Sequence, residues 1–332
     1  MLLHPPVLAL LLISVLVAAG LVLATPFALR VVRRWDLASG SEAQVRLERG
    51  TYLVSTGVAL VLLAQTLSLG LFVFVAEGLS TQITGAMCAT GTLNANAFGF
   101  PTLALKVLLF FGAAAWLAVD RLDREGVDYP LVRGKYALLL ALTPLALAEA
   151  TLQLLYFALL SPEVITSCCG SLFSAEGAGV AAEVAALPAA PAMVAFYLAG
   201  ALVVVLAART WRSARGGVAL GVAAALAFAV ALAGVVSFVS VYVYESPHHH
   251  CPLCLLKGGY DYLGYPLYGV LFAGTACALA AAVSGPFARI PSLAQAAPPR
   301  ASRCAGAAAV LLGVFYLLAT WAVLRSNLVL FE

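Results

Sequence analysis

Charge is what this sequence has least of. Only 10% of its 332 residues are Asp, Glu, Lys or Arg, against about a quarter in an ordinary soluble domain. Signature motifs are scarce too. There is no P-loop, no dinucleotide glycine fingerprint and no H-E-x-x-H, which argues against ATP-driven transport by this chain alone and against zincin-type hydrolysis. C-x-x-C-H is absent, so covalent haem attachment is not expected. No basic patch is interleaved with aromatics, and nucleic acid is not an expected partner. Methionine occurs three times and histidine four.

What fills the space is apolar: 63% of the residues are hydrophobic. One soluble core could not hide that much apolar surface, so a lipid bilayer must solvate part of it. A helix needs roughly 20 apolar residues to cross about 30 Å of hydrocarbon. Such stretches run at about 7–29, 51–76, 102–119, 136–160, 188–208, 217–244, 266–285 and 305–324. No alternation of period two suggests a barrel, and each segment in lipid must satisfy its own backbone hydrogen bonds. The expected fold is all-α, a single polytopic membrane domain over 1–332 with about eight transmembrane helices.

Placement of basic residues sets orientation. Arg30, Arg33, Arg34, Arg46 and Arg49 follow the first span, and Arg121, Arg124, Arg133 and Lys135 follow the third. Arg209, Arg212 and Arg215 follow the fifth, and Arg289, Arg300 and Arg303 the seventh. Of the 18 basic residues only Lys106, Lys257 and Arg325 lie elsewhere. The alternation predicts both termini outside the cytoplasmic (inner) membrane. The leader before the first span lacks a basic region, so that span reads as a retained anchor rather than a signal peptide. The Pro-, Ala- and Arg-rich connection at 286–304 reads as a flexible linker.

The three expected outer loops, about 77–101, 161–187 and 245–265, carry the reactive side chains. Loop one holds Cys88, loop two the pair Cys168-Cys169, and loop three His248-His249-His250-Cys251-Pro252-Leu253-Cys254. Five of the seven cysteines and all four histidines, His4 included, thus fall on one face. Each loop follows an aromatic-rich helix end, passes a glutamate (Glu77, Glu163, Glu245) and then reaches a cysteine. Two sulfurs in C-x-x-C close a small disulfide ring or chelate one soft metal. A short helix beginning at Pro252 would favour a Cys251 thiolate. The histidines add positive charge when protonated and imidazole ligands when neutral. Thiol–disulfide exchange at Cys251 and Cys254 therefore competes with a Cu or Zn site built from His248, His249, His250, Cys251 and Cys254. Adjacent cysteines strain a mutual disulfide, so Cys168 and Cys169 more naturally bond a distant cysteine or a metal. A joint site with Met87, Cys88 and one of that pair requires the loops to meet.

Cys251-Pro252-Leu253-Cys254, ahead of a helix on the outer face, resembles the C-x-x-C of bacterial disulfide-generating quinone reductases and of vitamin K epoxide reductases. The likeness spans about a dozen residues. It implies that Cys251 and Cys254 are the quinone-proximal pair, with Cys88 and Cys168 or Cys169 relaying to a soluble partner outside. That partner would be a thioredoxin-like protein; on the metal reading it would be a metallochaperone. The tandem cysteines are similar to those of membrane carriers of soft metals. An anchoring subunit of a larger membrane complex is a third reading.

Ionisable groups within a span are costly and mark functional sites. Glu149 lies near the middle of span four, with Gln153 one turn on and Tyr156 on the same side; Gln65 lies in span two. Lys106, about one turn into span three, is expected to reach Gln153 more easily than Glu149. Glu149 is a candidate for proton transfer, and Lys106, Tyr260 and Tyr265 are candidates for contact with a quinone. Tyr242, Tyr244, Tyr260, Tyr262, Tyr265 and Tyr268 crowd loop three, where most are expected to form an interfacial aromatic belt.

Overall fold

The computed structural model describes residues 2–161, 163 and 180–329. It is all-α, with no strand among the described residues. In chain order the helices are α1 (Pro5–Arg34), α2 (Glu42–Leu79), the short α3 (Ala89–Leu93), α4 (Gly99–Asp123), α5 (Val132–Ala158) and the short α6 (Val180–Ala185). There follow α7 (Ala189–Ser213), α8 (Gly217–Gly234), the short α9 (Ser240–Tyr244), α10 (Gly264–Ser284) and α11 (Ala297–Leu324). Eight helical segments are long and apolar enough to cross a membrane: those carrying α1, α2, α4, α5, α7, α8 with α9, α10 and α11. They correspond one for one to the eight apolar stretches of the sequence. Leu12, Leu23, Leu53, Leu198, Leu226 and Leu317 stand exposed on their flanks, as lipid-facing side chains do. The protein is an integral, multi-pass membrane protein.

The chain divides into two compact units. Unit 1 comprises residues 1–75, 96–160 and 286–300, and unit 2 residues 76–95, 161–285 and 301–332.

In unit 1, α5 packs on α1 and on α4. The core is formed by Val17, Leu21, Leu62, Leu109, Trp116, Tyr136, Leu139 and their neighbours. The α4–α5 turn is tied by charge. Lys135 Nζ lies 3.0 Å from Asp120 Oδ1 and 2.7 Å from Asp123 Oδ2, all three side chains being buried. Trp116 Nε1 donates to the Lys135 carbonyl at 2.9 Å, and the Leu131 amide to Asp123 Oδ1 at 2.8 Å. Lys135, which the sequence counts with the exposed basic residues of its connection, is therefore an internal clasp. Residues 286–304 are ordered into turns at Gly285–Arg289 and Pro291–Leu293 and then the start of α11. This corrects the flexible-linker expectation. Leu293 and Ala297 are buried, and Arg300 is ion-paired with Glu125, so this Pro-Ala run has packing partners that its composition does not announce.

In unit 2, α8 packs on α7 and α10 around a core centred on Phe196. Its ring touches Phe238, Phe315 and Tyr316 with centroids 5.2, 5.8 and 4.8 Å away. Glycines let helices approach closely: a Cβ on Gly217 would lie 2.5 Å from the Ala281 carbonyl oxygen, and one on Gly221 2.4 Å from the Ala282 Cβ. Small residues at such crossings are how membrane helices gain packing without a hydrophobic drive between them. Between α8 and α9 the helix widens into a single π turn at Val235–Val239, a feature that commonly marks functional sites.

Candidate functional site

Loop one does not wander. Gly85 turns the chain with φ 81°, which favours glycine, and Gly91 lies so close to Ala86 that a Cβ would meet the Ala86 Cα at 2.9 Å. Cys88 caps α3 in extended conformation, and the next amide, Ala89 N, donates to Glu77 Oε2 at 2.7 Å. Glu77 also lies 4.0 Å from Lys257 Nζ. All of α3 is buried, so the loop tucks Cys88 inward.

Loop three is pinned as tightly. Pro252–Leu256 forms a 3-10 turn with Pro252 at its start and Cys251 capping it. The expected short helix at Pro252 is present, though five residues contribute little dipole. Tyr244 OH donates to the Cys251 carbonyl at 2.6 Å, and Tyr268 OH to the Pro252 carbonyl at 2.8 Å. These two tyrosines therefore hold the C-x-x-C backbone. Three of the five described non-glycine residues with left-handed backbone, Glu245, Asp261 and Tyr262, lie in this loop, and such conformations persist only where surroundings fix them.

The two loops meet. Cys88 Sγ lies 3.6 Å from Cys251 Sγ, across 163 positions of sequence, and the sulfurs of Cys88, Cys251 and Cys254 all lie within 4.8 Å of one another. Thr90 Oγ1 is 3.2 Å from Cys251 Sγ. Exposure is 0%, 0% and 4% for the three cysteines, and Ala185, Val236, Val184, Tyr244, Leu253 and Tyr260 form an apolar shell around them. Cys168 and Cys169 lie outside the described residues.

No protein family, curated protein or solved structure matches the chain.

The histidines are not drawn into the sulfur cluster. His250 Nδ1 lies 3.1 Å from the Val236 carbonyl in the π turn, the His249 ring is 4.1 Å from that of Tyr244, and His248 is exposed. Met87 is 61% exposed. Among the described residues the group of Cys, His and carboxylate side chains close enough to share one ion is the cysteine trio, so a metal reading rests on three sulfurs rather than on His248, His249 and His250. The Tyr260 ring lies tilted against that of Tyr244, centroids 4.5 Å apart, at the edge of the cluster. Tyr265 is exposed, with Tyr262 6.2 Å away. The shared glutamate theme separates: Glu77 supports Cys88, whereas Glu245 Oε1 accepts from the amide and side chain of Asn327.

Unit 1 holds a second polar group of its own. Lys106 Nζ pairs with Glu149 Oε1 at 2.7 Å, both fully buried. This corrects the expectation that Lys106 would favour Gln153. A buried ammonium without a counter-charge is costly, and the long, flexible lysine stem lets it find the carboxylate. Ser68 Oγ lies 3.2 Å from the ammonium, and Ser14 Oγ donates to Glu149 Oε1 at 3.3 Å. Gln153 Nε2 donates instead to Ser14 Oγ at 3.0 Å and to the Leu10 carbonyl at 3.1 Å. Among the described residues, Glu149 Oε2, Gln153 Oε1 and both amide atoms of Gln65 have no hydrogen-bond partner.

Proposed function

We propose that this membrane protein carries out thiol–disulfide exchange at a three-cysteine centre, passing electrons from a thiol protein outside the cytoplasmic membrane to a quinone or another membrane carrier. The observation that supports this most directly is Cys88 Sγ, which lies 3.6 Å from Cys251 Sγ while Cys254 stays within reach of both. In that arrangement a Cys251–Cys254 disulfide attacked by the Cys88 thiolate gives a Cys88–Cys251 disulfide and releases the Cys254 thiolate. No net oxidation occurs in that step. Oxidation of two thiols to a disulfide releases two electrons and two protons, and a quinone accepts both to become quinol. The sulfurs are too buried for direct contact with a folded partner, so Cys168 and Cys169 on the second outer loop are the proposed outward relay. The alternation of basic residues supports loops one to three facing outside.

A second reading, a site for a soft metal ion, is favoured by the sulfur spacing. Thiolates around one ion at about 2.3 Å lie about 3.8–4.0 Å apart, which the trio approaches. A tri-thiolate site suits Cu(I) above Zn, since a structural Zn site takes four ligands.

Acid-trapped differential alkylation of intact membranes, read by mass spectrometry, separates the two. Exchange predicts a Cys251–Cys254 disulfide whose fraction follows quinone supply, and a trapped Cys88–Cys251 disulfide in the Cys254→Ser variant. If all three sulfurs are instead reduced and shielded until a chelator is added, exchange is wrong and the centre holds metal.

A further inference from the structure

At the end of unit 1 that carries the arginines, α1, α2 and the chain between them form a half-open cavity of about 480 Å³ lined by Phe27, Arg30, Arg34, Asp36, Gln44 and Arg46, with Ser39, Ser41, Ala43 and Leu47 completing its wall. Its charge is lopsided. Its lining holds three arginines and one carboxylate; Asp36 Oδ1 is already engaged by the Ala38 amide at 3.0 Å, and the neighbouring Glu48 accepts from Gln44 Nε2 at 2.9 Å. Arg46 has a loose contact of 3.7 Å with Glu42, and Arg30 spends only Nε, on the Pro26 carbonyl. The cavity also borders the first turn of α2, whose helix dipole favours an anion, although Glu42 stands in the same turn.

The connection that shapes the cavity is fixed. Gln44 Oε1 accepts the Asp36 amide at 3.2 Å, the Gln44 amide reaches Ser41, and Arg133 holds the Trp35 carbonyl. Trp35 and Leu47 are buried beneath it.

We infer that this cavity binds the phosphate of an anionic phospholipid of the phosphatidylglycerol type. Two features point to lipid rather than free phosphate. At 38 residues, α2 is about 57 Å long, nearly twice the hydrocarbon thickness. Its first turns carry Glu42, Arg46, Glu48 and Arg49, so the cavity lies at headgroup level. Its apolar wall is also continuous with the lipid-facing side of α1. Leu23, Phe27, Arg30 and Arg34 follow one another at helical spacing on one face, with Leu23 exposed. Acyl chains run along Leu23 while the arginines fork the phosphate.

Native mass spectrometry of the purified full chain tests this, with phosphatidylglycerol and phosphatidylcholine of identical acyl chains as probes. The wild type should retain phosphatidylglycerol preferentially. The Arg34→Gln/Arg46→Gln variant should lose about tenfold or more of that preference, as two arginine–phosphate contacts at a membrane surface predict. An Arg215→Gln/Arg303→Gln variant removes the same charge elsewhere and should keep the preference. Equal retention of both lipids by the wild type, equal loss in both variants, or displacement of the lipid by equimolar inorganic phosphate would each overturn the assignment.

Discussion

Replacing Lys106 by methionine keeps the length and apolar stem of the side chain and deletes its charge. In the native protein that charge sits 2.7 Å from Glu149, with neither group exposed. The variant leaves a carboxylate in a site where Ser14 Oγ is the remaining donor to it. Breaking a buried pair from one side typically costs about 3–5 kcal/mol, because an uncompensated charge stays behind. At about 2–4 °C per kcal/mol for a unit of this size, the melting temperature should fall by about 6–20 °C. The Lys106→Met/Glu149→Leu double variant removes both charges, and it should recover most of the loss or exceed wild type. Intrinsic tryptophan fluorescence during thermal unfolding in detergent micelles provides the readout, since Trp116 is buried in the same unit. A single variant that melts with the wild type would refute the reasoning, as would a double variant less stable than either single. Either result would mean that the pair is not an isolated ion pair in a low-dielectric interior.

Two further outcomes follow from close contacts in unit 2. Gly217→Ala places a Cβ 2.5 Å from a backbone carbonyl that cannot swing away, and should cost about 1–3 kcal/mol. Gly57→Ala, with nothing within 4 Å of its Cβ, should be neutral or slightly stabilising through helix propensity; equal effects in thermal melts would undo the close-approach argument. Tyr244→Phe removes the donor to the Cys251 carbonyl, worth about 1 kcal/mol or about fivefold in local opening. Cys251 and Cys254 should then alkylate faster with a small reagent, and unchanged rates would show that the hydroxyl does not hold the segment.

The membrane helices were legible because the signal for a span is local. A continuous apolar run either exceeds the hydrocarbon thickness or it does not, and the arginines at alternate ends mark the count. The helix extensions were less so. Glu42–Gly50 carries four charges, and α11 begins in Ala-Pro-Pro-Arg, so neither reads as apolar, although Gln44 and Ala297 are buried. The pairings of charge were illegible for a different reason. Lys135 looks like an exposed topology marker until Asp120 and Asp123 are seen from the preceding helix. Lys106 meets Glu149 only because of the tilt and register of α4 against α5. Cys251 and Cys254 were readable as a pair from spacing alone. That Cys88 joins them, while three neighbouring histidines turn to a π-turn carbonyl, a tyrosine ring and the surface, depends on how two loops fold back over their own helix ends.

The burial of the sulfur trio narrows what its chemistry can be. A thiolate in an apolar shell is costly to form, so a lone buried cysteine would be inert. Three sulfurs in mutual reach change that, because negative charge leaving one can arrive on the next without crossing into hydrocarbon. The Thr90 hydroxyl, 3.2 Å from Cys251 Sγ, is a local donor for charge that collects there, and the tyrosine-pinned backbone of loop three limits the motion needed for each transfer. A soft cation would satisfy the same cluster by neutralising it, and the two chemistries therefore make opposite demands on the pocket. Exchange needs the sulfurs to separate and re-pair, so it needs the Cys88 loop and the C-x-x-C turn to shift by more than an ångström from 3.6 Å contact to a bond of about 2.05 Å. Metal binding needs them to stay where they are.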